Sequence, residues 1–589
     1  MARFLRAATF IVCFLSAGSA FAAGGSCNSI PVPSGVTSCF YIAASGADTN
    51  SGTSEASPWL HAPGMANCSN TCRSTTPTAG EGFILRGGDT WHFGNSSASP
   101  YTGSIASCSA NNGTCGWVVS WNGSAGSPIY WGVDKTWNAG SSWARPIMTG
   151  DNPTSPTGVA SCAYDETKYT QFSIAGQFYN VVDNFEFTGI CWNGNESNAN
   201  EFKCCTEILN YSQGSTTPSN NIVENVYIHG WTHVTFSCSL AGNGEPTGSC
   251  DGAIALNGTS NSTYGHGDLL THDVVDGSDT DGLSMIAVAW ACYDVEDSVF
   301  RYNSNAMVCN NLHILANNLF EYILQSGDGV SHGNAWESNT ESNSVNSVYN
   351  NIWRNLWLSR DCEVTNWETP QITDYYFNNL IYNNGCAGPG NGNYYDLVGG
   401  GQGGATGWTA NVFNNTWVLP NGGAVFSNPV GTTANFYNND CIVPGGGAPS
   451  SCYSGGAGAL NYLTNKVQDT STAAGQGYTS SEIYAYSPTA AGNTTVGTGT
   501  NEQGLCSALT GSADPLLQAA GTACQSDTGY ACTYSTSTHA VSCPARTVVA
   551  RPGNAGWDVG AYQLSGAQGQ TGTQAQPPQA PTNLQATVQ

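Results

Sequence analysis

The chain has 589 residues, with 14 Lys and Arg against 40 Asp and Glu and a formal net charge of −26. That acid excess excludes nucleic acid and anionic membrane surfaces as partners, since both are gathered by basic patches. An acidic polysaccharide would need a bridging cation such as Ca²⁺, whereas a neutral glycan meets no such barrier.

Residues 1–22 read as a secretory signal: Arg3 and Arg6 precede the apolar run from Ala7 to Leu15, and Ala20-Phe21-Ala22 gives a small-x-small cleavage pattern. The run is too short to cross a bilayer. The expectation is a secreted, soluble, monomeric protein beginning near Ala23, with no membrane insertion. One of the 23 cysteines, Cys13, lies in the signal, and the even remainder suits an oxidising compartment. Close neighbours predict local bridges: Cys27 with Cys39, Cys68 with Cys72, Cys108 with Cys115, Cys238 with Cys250, Cys292 with Cys309, Cys362 with Cys386, and Cys441 with Cys452.

Between residues 23 and 180, strand-like pieces at Cys39–Ala44, Gly82–Arg86, Pro128–Gly132 and Phe172–Phe178 alternate with Gly-, Ser- and Asn-rich turns. Within this stretch Tyr41-Ile42-Ala43-Ala44-Ser45-Gly46-Ala47-Asp48, then Gly52-Thr53 and Pro58-Trp59, then Ile84-Leu85-Arg86-Gly87-Gly88-Asp89-Thr90-Trp91, resembles the opening of secreted right-handed β-helix proteins of the pectate-lyase-like superfamily. Near the other end, Arg551-Pro552-Gly553 with Gly556-Trp557-Asp558-Val559-Gly560-Ala561-Tyr562 resembles the strand that closes many such proteins. The resemblance implies a fold and leaves the activity to be argued from a site, because that superfamily holds lyases, hydrolases and proteins without chemistry.

From about residue 180 to 440 two repeats alternate. The first places Asn or a substitute between apolar residues, at Asn184, Asn225, His272, Asp297, Asn317, Asn350, Asn378, Asn414 and Asn438. The second opens a short strand with an acid or amide, at Asp251, Asp281, Asn305, Asp328, Asp361, Asp396 and Asn421. A unit of strand, Asn turn, strand, loop and strand repeating every ~20–50 residues is the mark of a solenoid, here a parallel β-helix; with the resemblance, it implies an all-β, single-stranded right-handed parallel β-helix over residues 23–564. Asn suits the turn because it tolerates the left-handed conformation, and stacked turns can ladder their amides. The second repeat is expected to form a column of its own on another edge. Residues 565–589, rich in Gln, Gly and Pro, cannot bury a core and read as a disordered tail.

Rungs about 4.8 Å apart turn equivalent residues into columns, so the second repeat is the expected site. Its middle gathers Asp276 and Asp279 before Asp281, His332 after Asp328, and Arg360 beside Asp361; the site residues are taken as Asp281, Asp328, His332 and Arg360. Three chemistries fit. Asp281 and Asp328, two rungs apart, would suit the carboxyl pair of an inverting glycosidase. Asp279-Thr280-Asp281-Gly282 and Gly265-His266-Gly267 resemble polygalacturonase motifs, although Asn305-Ala306 stands where that family has paired Asp. A polysaccharide lyase would instead use Arg360 or Arg301 as base, with Ca²⁺ held by Asp328 and Asp361; no cofactor is otherwise required. The third is a non-catalytic extracellular glycan-binding or surface protein, with Trp290, Trp336, Trp353, Trp357 and Trp367 either stacking on sugars or filling the interior. No Gly-x-Ser-x-Gly elbow, phosphate loop or His-Glu-x-x-His helix is present. The function expected is polysaccharide cleavage, by hydrolysis or β-elimination.

Overall fold

A computed structural model describes residues 25–564 apart from 28–29, 94–114, 155–158, 165–168, 175, 193–206, 214–218, 234–250, 258–266, 280–284, 291–292, 304, 310–311, 324–334, 339–343, 359–362, 368–371, 387–394, 400–406, 420–423, 428–430, 447–451, 453–457, 481–483, 530–532, 536–539 and 543–546. Most of the described strands form three long parallel sheets. The first has thirteen strands, from Ser38–Ile42 to Ala459–Leu463; the second twelve, from Thr90–His92 to Lys466–Asp469; the third ten, from Cys115–Val118 to Ala424–Ser427. One rung shows the path: Asp294–Glu296 in the first sheet, a turn at Asp297, Val299–Arg301 in the second, a turn at Tyr302, and Asn305–Cys309 in the third. The fold is the single-stranded right-handed parallel β-helix that the repeats and the resemblance together imply.

Alternation along each short strand decides what faces in. In the second sheet the middle residues Met148, Phe187, Ile228, Val275, Phe300, Phe320, Trp353, Ile381 and Trp417 stand in register and are fully buried. Equivalent rings stack from rung to rung, with Phe300 to Phe320 at 5.3 Å and Phe320 to Trp353 at 5.2 Å. Trp336 and Trp353 are therefore interior residues, not sugar platforms; the side chains of Trp290, Trp357 and Trp367 lie outside the described ones.

All nine residues of the first repeat adopt the left-handed conformation, with φ from 52° to 62°, and Thr464 continues the series at 57°. The inner amide ladder belongs to the residue after each of them. Asn318, Asn351, Asn379, Asn415 and Asn439 each donate both backbone N–H and Nδ2–H to the Oδ1 of the next rung's Asn, at 2.8–3.1 Å, ending on Asn465. Each Nδ2 also donates to a carbonyl of the preceding rung, as Asn351 does to Leu315 at 2.8 Å. The left-handed Asn themselves hold the end of the chain: Nδ2 of Asn378, Asn414 and Asn438 donate to the carbonyls of Ser526, Asp558 and Thr500 at 3.0, 2.9 and 2.8 Å. Helices Gln503–Thr510 and Pro515–Ala523 pack on the first sheet's outer face beside this strap.

Three expectations need correction. Residues 556–562 make no strand; their backbone N–H groups go to Thr416 Oγ1, the Asn438 carbonyl and the Thr495 carbonyl, so the segment lies along the coil as a strap. The second repeat is not one column. Asp251 pairs with Met285, while Asn305 aligns with Ile286 and Gly252, and Tyr395, the residue before Asp396, pairs with Glu363. The joints from the second to the third sheet differ in length, so no fixed turn holds an acid at the strand start. Asp281, Asp328, Asp361 and Asn421 lie outside the described residues. Lastly, the cysteine spacing misses two bridges: Cys27–Cys39, Cys68–Cys72 and Cys441–Cys452 form as expected, but so do Cys162–Cys191 and Cys506–Cys524. Cys309 is also disulfide-bonded; Cys108, Cys238, Cys250, Cys292 and Cys362 lie outside the described residues.

Candidate functional site

At the strand ends of the second sheet, one outward row runs through His92, Thr149 and Thr188, and a continuous register then links His229, Asp276, Arg301, Glu321, Arg354 and Tyr382. From Asp276 onward the row is buried beneath the C-terminal segment, which brings Tyr478, Tyr534 and Tyr562 onto this face. The signs alternate. Arg301 meets Asp276 at 3.4 Å and Glu321 at 3.1 Å, and Arg354 meets the other Glu321 oxygen at 2.9 Å. Burial works to lower the Arg354 pKa, but Glu321 and Tyr382 leave it raised. Tyr534 donates to Asp276 at 2.6 Å, and the Arg301 guanidinium lies 4.8, 5.4 and 4.6 Å from the ring centres of Tyr302, Tyr322 and Tyr534.

The turns at Tyr302 and Tyr322 belong to a second left-handed column, Gly189, Gly230, Tyr302, Tyr322, Asn355 and Asn383. A tyrosine is an uncommon choice there. Tyr302 and Tyr322 stack at 4.8 Å with Arg301 against them, which supplies the packing that offsets the backbone cost.

Ahead of Asp276 the row opens to solvent, and there the chemistry concentrates. His229 Nδ1 is 2.7 Å from Asp279 Oδ2 and its Nε2 is 3.1 Å from Glu186 Oε1, while Tyr227 stacks on its ring at 4.2 Å. Burial disfavours the imidazolium, but the two carboxylates win and push its pKa up to about 9. For Asp279 burial acts upward, and the bond from His229 with the Gly230 N–H at 3.1 Å brings its pKa below the usual carboxylate range. The node thus sets an imidazolium against the Asp279 carboxylate at neutral pH, with Glu186 on the other ring nitrogen. The imidazole fills the gap between the two carboxyls, one ring and two hydrogen bonds wide. Three rungs earlier on the same row, His92 Nδ1 meets Asp151 at 2.7 Å.

The folded pKa of His229 lies above its ordinary 6.5. Its contribution to stability is therefore fully present below pH 6.5 and lost as pH rises through about 9. The gap in Tm between the wild type and His229→Gln should narrow across that window, as read by calorimetry at several pH values. A gap that stays constant would mean that the imidazole carries no charge in the fold.

Of the residues singled out from sequence, Asp281, Asp328, His332 and Arg360 lie outside the described residues. Asp276, Asp279 and Arg301 are described: Asp276 meets Arg301, whereas Asp279 meets His229. Arg301 is not the available base that elimination would need, because Asp276 and Glu321 occupy it in a buried row. His229 and Glu186 escape sequence reasoning since they lie 50 and 93 residues before Asp279 and only the rung register joins them. Among the described residues no group of three or more His, Cys, Asp or Glu side chains is arranged to hold a metal ion. No described helix is long and apolar enough to cross a membrane.

No protein-family profile and no curated protein sequence matches the chain. Solved structures do. A GH136 lacto-N-biosidase from Eubacterium ramulus aligns at 12% identity and TM-score 0.35 over 72% of this chain and 68% of that one. A rhamnogalacturonan lyase aligns at 11% and 0.37 over 73% and 87%, and pectate lyase Pel9A at 11% and 0.33 over 90% and 96%. Similarity at this level transfers no residue roles.

Proposed function

We propose that this chain is a secreted enzyme that cleaves a polysaccharide by hydrolysis, at the passage from the second to the third sheet. The observation that carries the reading is the half-open node of Glu186, His229 and Asp279, in which the Asp279 carboxylate is held ionised against an imidazolium at the exposed end of the row. Asp279, held ionised by His229, is suited to activate water or to stabilise positive charge developing on the sugar. The proton donor is assigned to Asp281 or Asp328. In the sequence, Asp281, Asp328, His332 and Arg360 all fall between a strand of the second sheet and the next strand of the third, which supports grouping them with Asp279. Hydrolysis is favoured over elimination because Arg301 and Arg354 already face carboxylates, leaving Arg360 as the base a lyase would require, with Ca²⁺ as its companion.

A second reading, glycan binding without cleavage, has its own support: both ring nitrogens of His229 are engaged, so the imidazole has no site from which to move a proton. A panel of neutral and acidic polysaccharides incubated with the mature protein separates the possibilities. Hydrolysis releases reducing ends without the absorbance of unsaturated sugars; elimination gives both signals. Retention on an immobilised glycan without either product would leave binding alone.

A further inference from the structure

The inner ladder has one member of the wrong chemistry. At the position filled by Asn in later rungs, the rung that carries Asp276 and Asp279 has Asp273, followed in the series by Ser298 and Asn318. Asp273 does half of what an Asn does there: its Oδ1 accepts the Val226 N–H at 2.9 Å, just as each Asn Oδ1 accepts the N–H of the rung before. The other half is missing. The Nδ2 of Asn318, Asn351 and Asn379 donates to the carbonyls of Val295, Leu315 and Val348, each on the preceding rung at the same register. By that register the partner of Asp273 is the carbonyl of Val223. A carboxylate oxygen cannot donate to a carbonyl, and two acceptors facing each other away from water repel. Asp273 is 1% exposed, and its Oδ2 is buried without a hydrogen-bond partner among the described residues.

We propose that Asp273 is a proton-bearing rung of the ladder: as a neutral carboxylic acid it donates from Oδ2 to the Val223 carbonyl and so reproduces the amide it replaces. The charges facing it favour this form on balance. Asp183 is the nearby acid from the preceding rungs, Glu224 stands on the outer face of the first sheet, and Arg145 approaches from the earlier turn as the opposing cation. Burial is the dominant influence and acts upward on the Asp273 pKa, outweighing the Val226 and Thr271 backbone N–H groups, which act downward. The consequence is local and bears on the node. Asp273 clasps the rung of Tyr227–His229 to the rung of Val274–Asp276, the two rungs that present His229 and, just beyond the strand end, Asp279. Loss of the proton would loosen the joint on which that geometry depends. Asp273 is a positioning residue for the proposed site, and the fold-level claim stands even if the site is not catalytic.

The sign is fixed by linkage. A folded pKa above the ordinary 3.8 means that the native chain binds a proton that the unfolded chain has lost, so stability falls as pH rises from about 4 until Asp273 ionises in the fold. Asp273→Asn keeps both hydrogen bonds at every pH. Its Tm should match the wild type near pH 4 and exceed it by a margin that grows toward neutral and alkaline pH. Difference infrared spectra of the two proteins at neutral pH should show a protonated carboxyl band in the wild type alone. Asp273→Ala, which removes the acceptor as well, should be less stable than Asp273→Asn at all pH values and should lack the same slope. A constant Tm difference between wild type and Asp273→Asn, an Asn variant that fails to fold while the Ala variant folds, or the absence of the carboxyl band would each overturn the proposal. Since none of these readouts uses a glycan, their failure is separate from any failure of the hydrolase reading.

Discussion

Glu321→Gln should destabilise the fold by about 3–5 kcal/mol, the range for removing one partner from a buried charge pair. The substitution is nearly isosteric, so packing is not the cause. Glu321 sits in register between Arg301 and Arg354 and neutralises both, with Asp276 as the only other carboxylate shown bonded to Arg301 among the described residues. Its loss removes the carboxylate that Arg354 Nε meets at 2.9 Å, while the Tyr382 hydroxyl stays at 3.4 Å. Urea titration measures the change, and a second substitution tests its origin. Arg354→Leu on the Glu321→Gln background should recover part of the loss, because it removes the cation whose buried ion pair was broken. Losses that add, with no coupling between the two positions, would show that the row is held by packing and that its alternating signs are incidental.

What the sequence made legible follows from how narrowly physics restricts each position. A left-handed turn between two strands accepts few residue types, so Asn317, Asn350, Asn378, Asn414 and Asn438 announced the coil, and even the substitutes His272 and Asp297 occupy the predicted conformation. The inner ladder was half legible: an amide ladder was expected of the turn residues, but that it belongs to the residue after each of them follows only from the backbone path. The second left-handed column was hidden, since Gly189, Tyr302 and Asn355 share no chemistry and are made equivalent by register alone. For the same reason the second repeat misled. Asp251 and Asn305 begin strands of the third sheet as the pattern required, yet they are one residue out of step because the joints before them are not of fixed length. Asp276 and Asp279 drew notice through their density in sequence. Their partners Arg301, His229 and Glu186 are assembled by rung stacking, which no local motif records.

The largest functional effect should fall on Asp279. On a substrate found by the glycan panel, Asp279→Asn should lower kcat by at least about 10²-fold, the lower bound typical for loss of a general acid or base. The amide keeps the shape and still accepts the Gly230 N–H, so the fold should persist; what disappears is the negative charge that holds His229 as a cation. Glu186→Gln leaves Asp279 and one hydrogen bond of the node in place and should do less, raising KM more than it lowers kcat. Asp281→Asn and Asp328→Asn, as the candidate proton donors, should each match Asp279→Asn in depth if they serve the same step, and only one of them needs to. Arg360→Ala then divides the mechanisms: loss of nearly all turnover, with unsaturated products in the wild type, would assign elimination with Arg360 as base, whereas a rise in KM alone accords with hydrolysis. Should Asp279→Asn, Asp281→Asn and Asp328→Asn all retain full turnover, the carboxyls of this corner would be builders of turns and ion pairs, and the glycan-binding reading would take the place of the catalytic one.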